Sequence, residues 1–289
     1  MANLRELRNK LNSVKSTRKI TAAMKLVAGV KLRKAEQKAE ASRGYAEYLS
    51  KIISGIRRDF LDKCPEMLVG RESSTNVLLV VFGADKGLCG NFNYSVLKGT
   101  KQEVARLLEN GKKVKVLCLC QKTYNSLARM LTCEVELFEE SNKTDQSFDY
   151  ATRVAKYACQ EFLENRVDCV RLLYTKYISA MNREVRVDEV VPISQCEPSD
   201  EDTMTIFEPS EEEVFNRILE YNVGVQIHQA ALESMASEQS ARMTAMDSAT
   251  RNADEIIAKM ALKYNRLRQS MITLELVEVI SGAEALNKG

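Results

Sequence analysis

Residues 225–281 run for 57 positions without a glycine or proline, and the apolar side chains in the second half of that run recur with strict 3,4 spacing. Met243, Met246, Thr250, Ala253, Ile257, Met260, Tyr264, Leu267, Met271 and Leu274 fall on successive a and d positions of a heptad pattern, with Thr250 the polar exception. At the rise of an α-helix the whole run spans roughly 85 Å, several times what a compact domain needs. A chain with this feature builds a shaft, and a shaft implies something around it or something to move.

With 289 residues and 45% hydrophobic content, the rest of the chain can hold one or two domains with proper cores, and no segment has a disordered composition. Charge divides unevenly. Residues 1–60 carry 15 Lys and Arg against 5 Asp and Glu, residues 61–209 carry 19 against 23, and residues 210–289 carry 8 against 12. The excesses of +10, −4 and −4 describe a basic N-terminal rod on a mildly acidic protein. Eight cysteines lie at 64, 89, 118, 120, 133, 159, 169 and 196 with no CxxC pair. They read as small buried hydrophobes in a reducing compartment rather than as metal ligands or disulfides. The apolar run Val77 to Phe82 is too short to span a bilayer, so any membrane association is expected to be indirect. The Lys- and Arg-rich start resembles a targeting peptide in composition. Its apolar pattern continues past residue 30, which makes it part of the mature structure.

Three segments follow from the pattern. Asn3 followed by Glu6 makes a capping box, and Leu4, Leu7, Leu11 and Val14 mark a helical seam, so a first helix is expected over residues 3–58. Alanines at 22, 23, 28, 35, 39 and 41 keep its middle thin and allow close approach of another helix. From Cys64-Pro65 to Pro209, apolar β-rich runs (Asn76–Phe82, Val114–Cys120, Cys133–Phe138, Cys169–Tyr174 and Val185–Val191) alternate with amphipathic helices near 93–110, 122–131 and 145–165. Such alternation predicts a mostly parallel sheet covered on both faces. Ser210 and Glu213 then form a second capping box at the start of the long C-terminal helix, with Gly282 placed as its stop. The domains are expected at 1–60, 61–209 and 210–289: N-terminal helix, α/β domain, longer C-terminal helix.

Two terminal helices leaving one domain can pair antiparallel. If both emerge at one level, facing residue numbers total about 267, so that Met24 faces Arg242 and Met243, and Leu4 faces about residue 263. Everything past roughly residue 268 then lacks a partner from its own chain. Yet Met271, Ile272, Leu274, Leu276, Val277, Val279 and Ile280 are apolar around nearly the full helix circumference, and a helix of that kind must be buried. Another protein is expected to surround it.

Four blocks carry a family resemblance. Ile272-Thr273-Leu274-Glu275, with Glu278 and Gly282-Ala283, resembles the C-terminal signature of the gamma subunits of F-type ATP synthases. Ser237 through Met246 with Asn252-Ala253, Lys19 through Ala28, and Asp85-Lys86-Gly87-Leu88-Cys89-Gly90 resemble that family's other blocks, in order along the chain. The resemblance implies an antiparallel coiled coil of the N- and C-terminal helices with a Rossmann-like α/β domain between them. It implies a rotor shaft whose tip turns inside a ring of three alpha and three beta subunits. The foot rests on an epsilon (or delta) subunit and the membrane c-ring. It further implies coupling or stator contacts at Met24, Gln239, Arg242, Arg268, Gln269, Thr273, Glu275 and Glu278, and foot contacts at Phe207 and Glu208. The expected location is peripheral on an energy-coupling membrane, on the cytoplasmic face in a bacterium or the matrix side in a mitochondrion.

Other functions find less support. Gly83, Gly87 and Gly90 after the first strand suggest a phosphate cradle, but their spacing is neither GxGxxG nor GxxxxGK[ST]; a tight turn that packs helix on sheet is the better use. The single histidine, His228, sits in a helix among apolar and small neighbours, and no carboxylate cluster or metal spacing is present. No catalytic residue, metal or cofactor is expected, and ATP chemistry would belong to the ring. The alternative is a basic coiled-coil scaffold or nucleic-acid binder. Its only aromatics, Tyr45, Tyr48 and Phe60, are too few for base stacking.

Overall fold

The computed structural model describes residues 2–60, 67–68, 70–71, 75–138, 147–179, 182–193 and 211–287. The chain divides into two compact units, one of residues 28–242 and one of residues 1–27 with 243–289. Helix α1 covers Ala2–Phe60, and the last helix, α5, covers Glu211–Asn287. The strands are β1 (Asn76–Val81), β2 (Lys113–Cys118), β3 (Glu134–Leu137), β4 (Cys169–Tyr177) and β5 (Arg183–Val191). Helices α2 (Phe92–Glu109), α3 (Gln121–Met130) and α4 (Phe148–Leu163) connect them.

Within residues 28–242, the strands form one sheet in the order β3-β2-β1-β4-β5. Strands β1, β2, β3 and β4 run parallel, and β5 closes the edge antiparallel to β4. The two-residue period of the strands sorts their side chains into two cores. Leu78, Val80, Phe82, Leu117, Val170 and Leu172 pack with Ala151, Val154 and Phe162 of α4 and with Leu219 and Val223 of α5. Val77, Leu79, Val81, Val116 and Cys118 pack on the other face with Val96, Val104 and Leu107 of α2 and Leu127 of α3. The central strand β1 is buried on both faces, which is why it reads as an unbroken apolar run. Residues Ala28, Leu32, Ala35 and Ala39 of α1 are buried at 4,3,4 spacing, and Ile53 is fully buried. Of the alanines singled out in sequence, Ala28, Ala35 and Ala39 are buried, Ala22 is half-buried, and Ala23 and Ala41 are exposed.

Within the other unit the helices pair antiparallel, and three contacts fix the register. Arg18 donates to Asp254 Oδ1 at 2.7 Å, Lys25 to Asp247 Oδ1 at 2.6 Å, and the Thr250 hydroxyl to Thr21 Oγ1 at 2.8 Å. Residues 18 with 254 and 25 with 247 each total 272, and 21 with 250 totals 271. This corrects the expected total of 267. The expectation took both helices to leave the domain at one level; α1 ends at Phe60 and α5 begins at Glu211, whose numbers themselves total 271. Leu4 therefore stands opposite residue 268, Met24 opposite 248 rather than Arg242, and Ala2 opposite 270.

The seam follows the heptad pattern: Leu4, Leu7, Leu11 and Val14 are shielded on α1, as are Met243, Met246, Thr250, Ala253, Ile257, Met260, Tyr264, Leu267 and Met271 on α5, while the residues between them are mostly exposed. Beyond Met271, every residue from 272 to 283 is exposed. Two terminus signals are corrected. Asn3 lies inside the first turn of α1 rather than ahead of it, and Gly282 does not stop α5, which continues to Asn287 with Gly282 outside the left-handed conformation of a helix stop. An exposed glycine within a helix costs about 1 kcal/mol relative to alanine, less than the cooperative helix around it can absorb. The Ser210–Glu213 box lies outside the described side chains.

Candidate functional site

The parallel sheet changes direction at β1, with β2 and β3 added on one side and β4 on the other. In open α/β sheets the crevice at the carboxyl ends of such strands is the usual ligand position. Here it receives α5. The buried Ser237 hydroxyl donates to the Thr175 carbonyl of β4 at 2.9 Å, and Ala241 joins the core that holds Val81, Ala84, Cys89 and Leu173. The loop after β1 is shaped for packing. A Cβ on Gly83 would lie 1.9 Å from Thr123 Oγ1 of α3, so only glycine permits that approach. This is the helix-on-sheet use expected of the glycine loop.

Beside this contact lies a crevice of 470 Å3 lined by Lys31, Lys34, Lys38, Asp85, Lys86, Cys120, Glu238, Gln239 and Arg242, among others. Arg242 and Glu238 form an i,i+4 ion pair at 2.6 Å with side chains only 10% and 14% exposed. Burial pushes the Glu238 carboxyl above its ordinary value, against the pull of Arg242. Gln239 is buried next to them. The six described cysteines are free thiols. Burial pushes Cys118, Cys120, Cys159 and Cys169 up to about 12, which makes them inert hydrophobes at neutral pH. Cys64 and Cys196 lie outside the described residues.

Met24 is half-buried in the paired-helix unit. Arg268, Gln269, Thr273, Glu275 and Glu278 are all exposed along the last turns of α5, and the Thr273 hydroxyl donates back to the Gln269 carbonyl at 3.0 Å. The proposed contact residues thus fall in three places: Met24 on α1, Gln239 and Arg242 at the crevice, and the remaining five on the outer length of α5. Phe207 and Glu208 lie outside the described residues. The tip residues Ile272, Leu274, Leu276, Val277, Val279 and Ile280 are 48% to 70% exposed.

His228 stands edge-on to Phe148 at 5.7 Å, and burial, with help from Lys38, holds its pKa below the ordinary value. It is a packed neutral ring, as its neighbours in sequence suggest. Among the described residues no group of three His, Cys, Asp or Glu is arranged to hold a metal ion, and no helix is long and apolar enough to cross a membrane. Sequence reasoning missed Glu238 as the partner of Arg242, although their i,i+4 spacing is a readable signal. It also missed the polar Thr21–Thr250 pair.

The family model for ATP synthase matches residues 3–286. The ATP synthase gamma chain of Paramagnetospirillum magneticum is 43% identical over 294 residues, covering 99% of this chain and 100% of its relative. That of Magnetococcus marinus is 40% identical over 290 residues, covering 99% of each. Among solved structures, a chain of the Euglena gracilis mitochondrial ATP synthase covers 100% of this chain and 96% of its own, with a TM-score of 0.65 at 16% identity. A chain from the central stalk and c-ring of the Tetrahymena thermophila mitochondrial ATP synthase covers 80% of this chain and 99% of its own, with a TM-score of 0.59 at 24% identity. A long helix at each end, a five-stranded sheet between them and full-length similarity to gamma chains together place this chain in the ATP synthase gamma chain family.

Proposed function

We propose that this chain is the central rotor shaft of an ATP synthase, turning with the membrane c-ring inside a ring of three alpha and three beta subunits. The observation that carries the reading is the end of α5. Leu4, Arg5 and Arg8 of α1 still line a pocket with Met271, Ile272 and Glu275; beyond that level Leu276, Val277, Val279 and Ile280 are 54% to 70% exposed. A stripe of this size in water marks a protein contact.

The shaft does no chemistry itself. It acts as an asymmetric cam: a ring of three nucleotide sites is driven through different states only if the axle contacts each subunit differently at each angle. Two unequal helices provide that difference. In this reading Met24, Gln239, Arg242, Arg268, Gln269, Thr273, Glu275 and Glu278 meet the stator ring. Phe207 and Glu208 belong to the foot, which rests on the epsilon (or delta) subunit and the c-ring. The functional parts are residues 1–60, 61–209 and 210–289. The chain sits at the periphery of the energy-coupling membrane, on the cytoplasmic face in a bacterium or the matrix side in a mitochondrion, joined to it through the c-ring.

The test is a cysteine placed at Leu276 in the assembled complex and oxidised. A disulfide to an introduced cysteine in an alpha or beta subunit is expected, reversed by reductant. Recovery of the tip cysteine fully reactive toward a water-soluble maleimide, in a complex that retains ATP turnover, would refute the sheath.

A further inference from the structure

Helix α5 crosses the β4–β5 side of the sheet with a stripe that breaks the pattern of a buried face. Asn222, Gln226, Gln229 and Glu233 follow one another at 4,3,4 spacing, where apolar residues ordinarily seal helix on sheet. They line a crevice of 300 Å3 built from residues of the 28–242 unit. That volume is at the lower end of the roughly 300 to 1,000 Å3 of small-molecule sites. Asn222 and Glu233 are each only 5% exposed. Asn222 Nδ2 and Glu233 Oε2 nevertheless find no hydrogen-bond partner among the described residues. Polar atoms buried in that way call for something that completes them.

The neighbours do not supply it. Asp188 accepts from the Tyr174 hydroxyl at 2.7 Å and from Arg186 Nε at 2.8 Å, and Arg171 holds Glu189 at 2.9 Å. Arg43 approaches the other Glu233 oxygen to 3.7 Å, beyond hydrogen-bonding distance. A carboxylate only accepts and an amide nitrogen only donates, so a molecule that satisfies both brings a donor to Glu233 and an acceptor to Asn222. The strongest donor to a carboxylate is a cationic one. Among the described residues no group of three side chains is arranged to hold a metal ion, which leaves an organic cation. The eleven positions from Asn222 to Glu233 rise roughly 16 Å along α5, and a hydrogen bond of about 2.9 Å at each end leaves roughly 10 Å between donor and acceptor, the reach of about three extended residues. Ala46 of α1, Leu172 and Val190 of the sheet, Ile193 and Ala230 add apolar wall to the same crevice, a surface that methylenes cover better than water does.

We propose that this crevice binds a linear primary ammonium ion with a carbonyl oxygen at its far end, a molecule of the acylated diamine class. The ammonium donates to Glu233 Oε2, the carbonyl accepts from Asn222 Nδ2, and the methylenes between them lie along the apolar wall. The site is separate from the contact residues of the shaft and does not depend on that reading.

The test is calorimetric titration of the complete complex with N-acetylcadaverine. Saturable binding at one site per copy of this chain is expected. Cadaverine, which lacks the carbonyl, and N-pentylacetamide, which lacks the ammonium, should each bind at least tenfold more weakly. Glu233→Gln is expected to weaken N-acetylcadaverine at least tenfold and Asn222→Leu at least threefold. Both variants should leave the unfolding temperature of the full chain unchanged or raised, since each removes a buried group that has nothing to bond. No saturable binding, or equal affinity for the three compounds, overturns the site. Binding that survives both substitutions lies elsewhere and overturns it too. A fall in unfolding temperature in both variants assigns Asn222 and Glu233 to folding and has the same result.

Discussion

The Thr21–Thr250 contact offers a quantitative test of what holds the paired helices in register. The Thr250 hydroxyl lies 2.8 Å from Thr21 Oγ1 and 2.7 Å from its own Met246 carbonyl, and the Thr21 hydroxyl donates to the Arg18 carbonyl at 3.0 Å. Both side chains are half-buried in a seam that is otherwise apolar. Valine matches threonine in shape and helix propensity, so Thr21→Val, Thr250→Val and the double variant isolate the hydroxyls. A neutral hydrogen bond contributes about 0.5 to 1.5 kcal/mol, and removing either hydroxyl breaks the bond between the helices while the other keeps its own-helix carbonyl. Each single variant is therefore expected to lose about 1 kcal/mol of local stability. The double variant breaks the same single bond between the helices and should lose about the same 1 kcal/mol, not the sum of the two. The chain has two compact units, so a global melt would blend them. Native-state hydrogen exchange of amides at 14–26 and 244–256 reads the paired helices directly, and about 1 kcal/mol appears as a roughly fivefold fall in protection. If the double variant shows the summed loss of about 2 kcal/mol, the two hydroxyls act independently and the contact does not set the register.

Asp168 accepts from the Thr75 and Asn76 N–H groups at 3.0 and 2.8 Å and pairs with Arg71 at 3.3 Å. Burial opposes its ionisation, but those donors win and hold its pKa below the ordinary value. A carboxyl lowered in the folded state stabilises above its unfolded pKa of about 3.9 and loses that contribution as pH falls through the folded value. Asp168→Asn should thus be less stable than the parent by about 1.5 to 3 kcal/mol at pH 7 in urea unfolding, with the gap closing below about pH 4; a gap constant from pH 7 to pH 3 would contradict the assignment. Gly83→Ala, whose Cβ would strike Thr123 Oγ1 at 1.9 Å, should lower stability by about 1 to 3 kcal/mol and be partly rescued by Thr123→Ala. Equal losses with and without the second substitution would mean that the clash is relieved elsewhere.

Periodicity made most of the fold readable. The seam of α5 is legible because burial along one stripe imposes 3,4 spacing, and the strands because a sheet covered on both faces demands continuous apolar runs such as Val77–Val81. The unpartnered tip is readable for the same reason, since residues 272–280 break from the stripe into all-round apolarity. What sequence left open is phase. The 3,4 pattern repeats every heptad, so nothing in it says which turn of α1 faces which turn of α5. The error of four to five residues in the facing total came from the level assumed for the two helices where they leave the domain. Gly282 misled because a glycine ends a helix only when its backbone turns left-handed, and composition alone does not dictate that turn. Of the candidate contacts, Arg242 was named without Glu238, and nothing in Gly87-Leu88-Cys89-Gly90 announces that the leucine takes a left-handed turn.

The bond from Ser237 to the Thr175 carbonyl has a mechanical consequence. In related sheet architectures the strand ends are left free to grip a cofactor that comes and goes. Here they close on a permanent spoke of the same polypeptide, at a point where backbone rather than flexible side chain receives the grip. Twist applied along α5 at this level passes into the main chain of β4, and from there through the parallel ladder to β1 and β2. The usual ligand position of an open sheet thus serves here as a keyway.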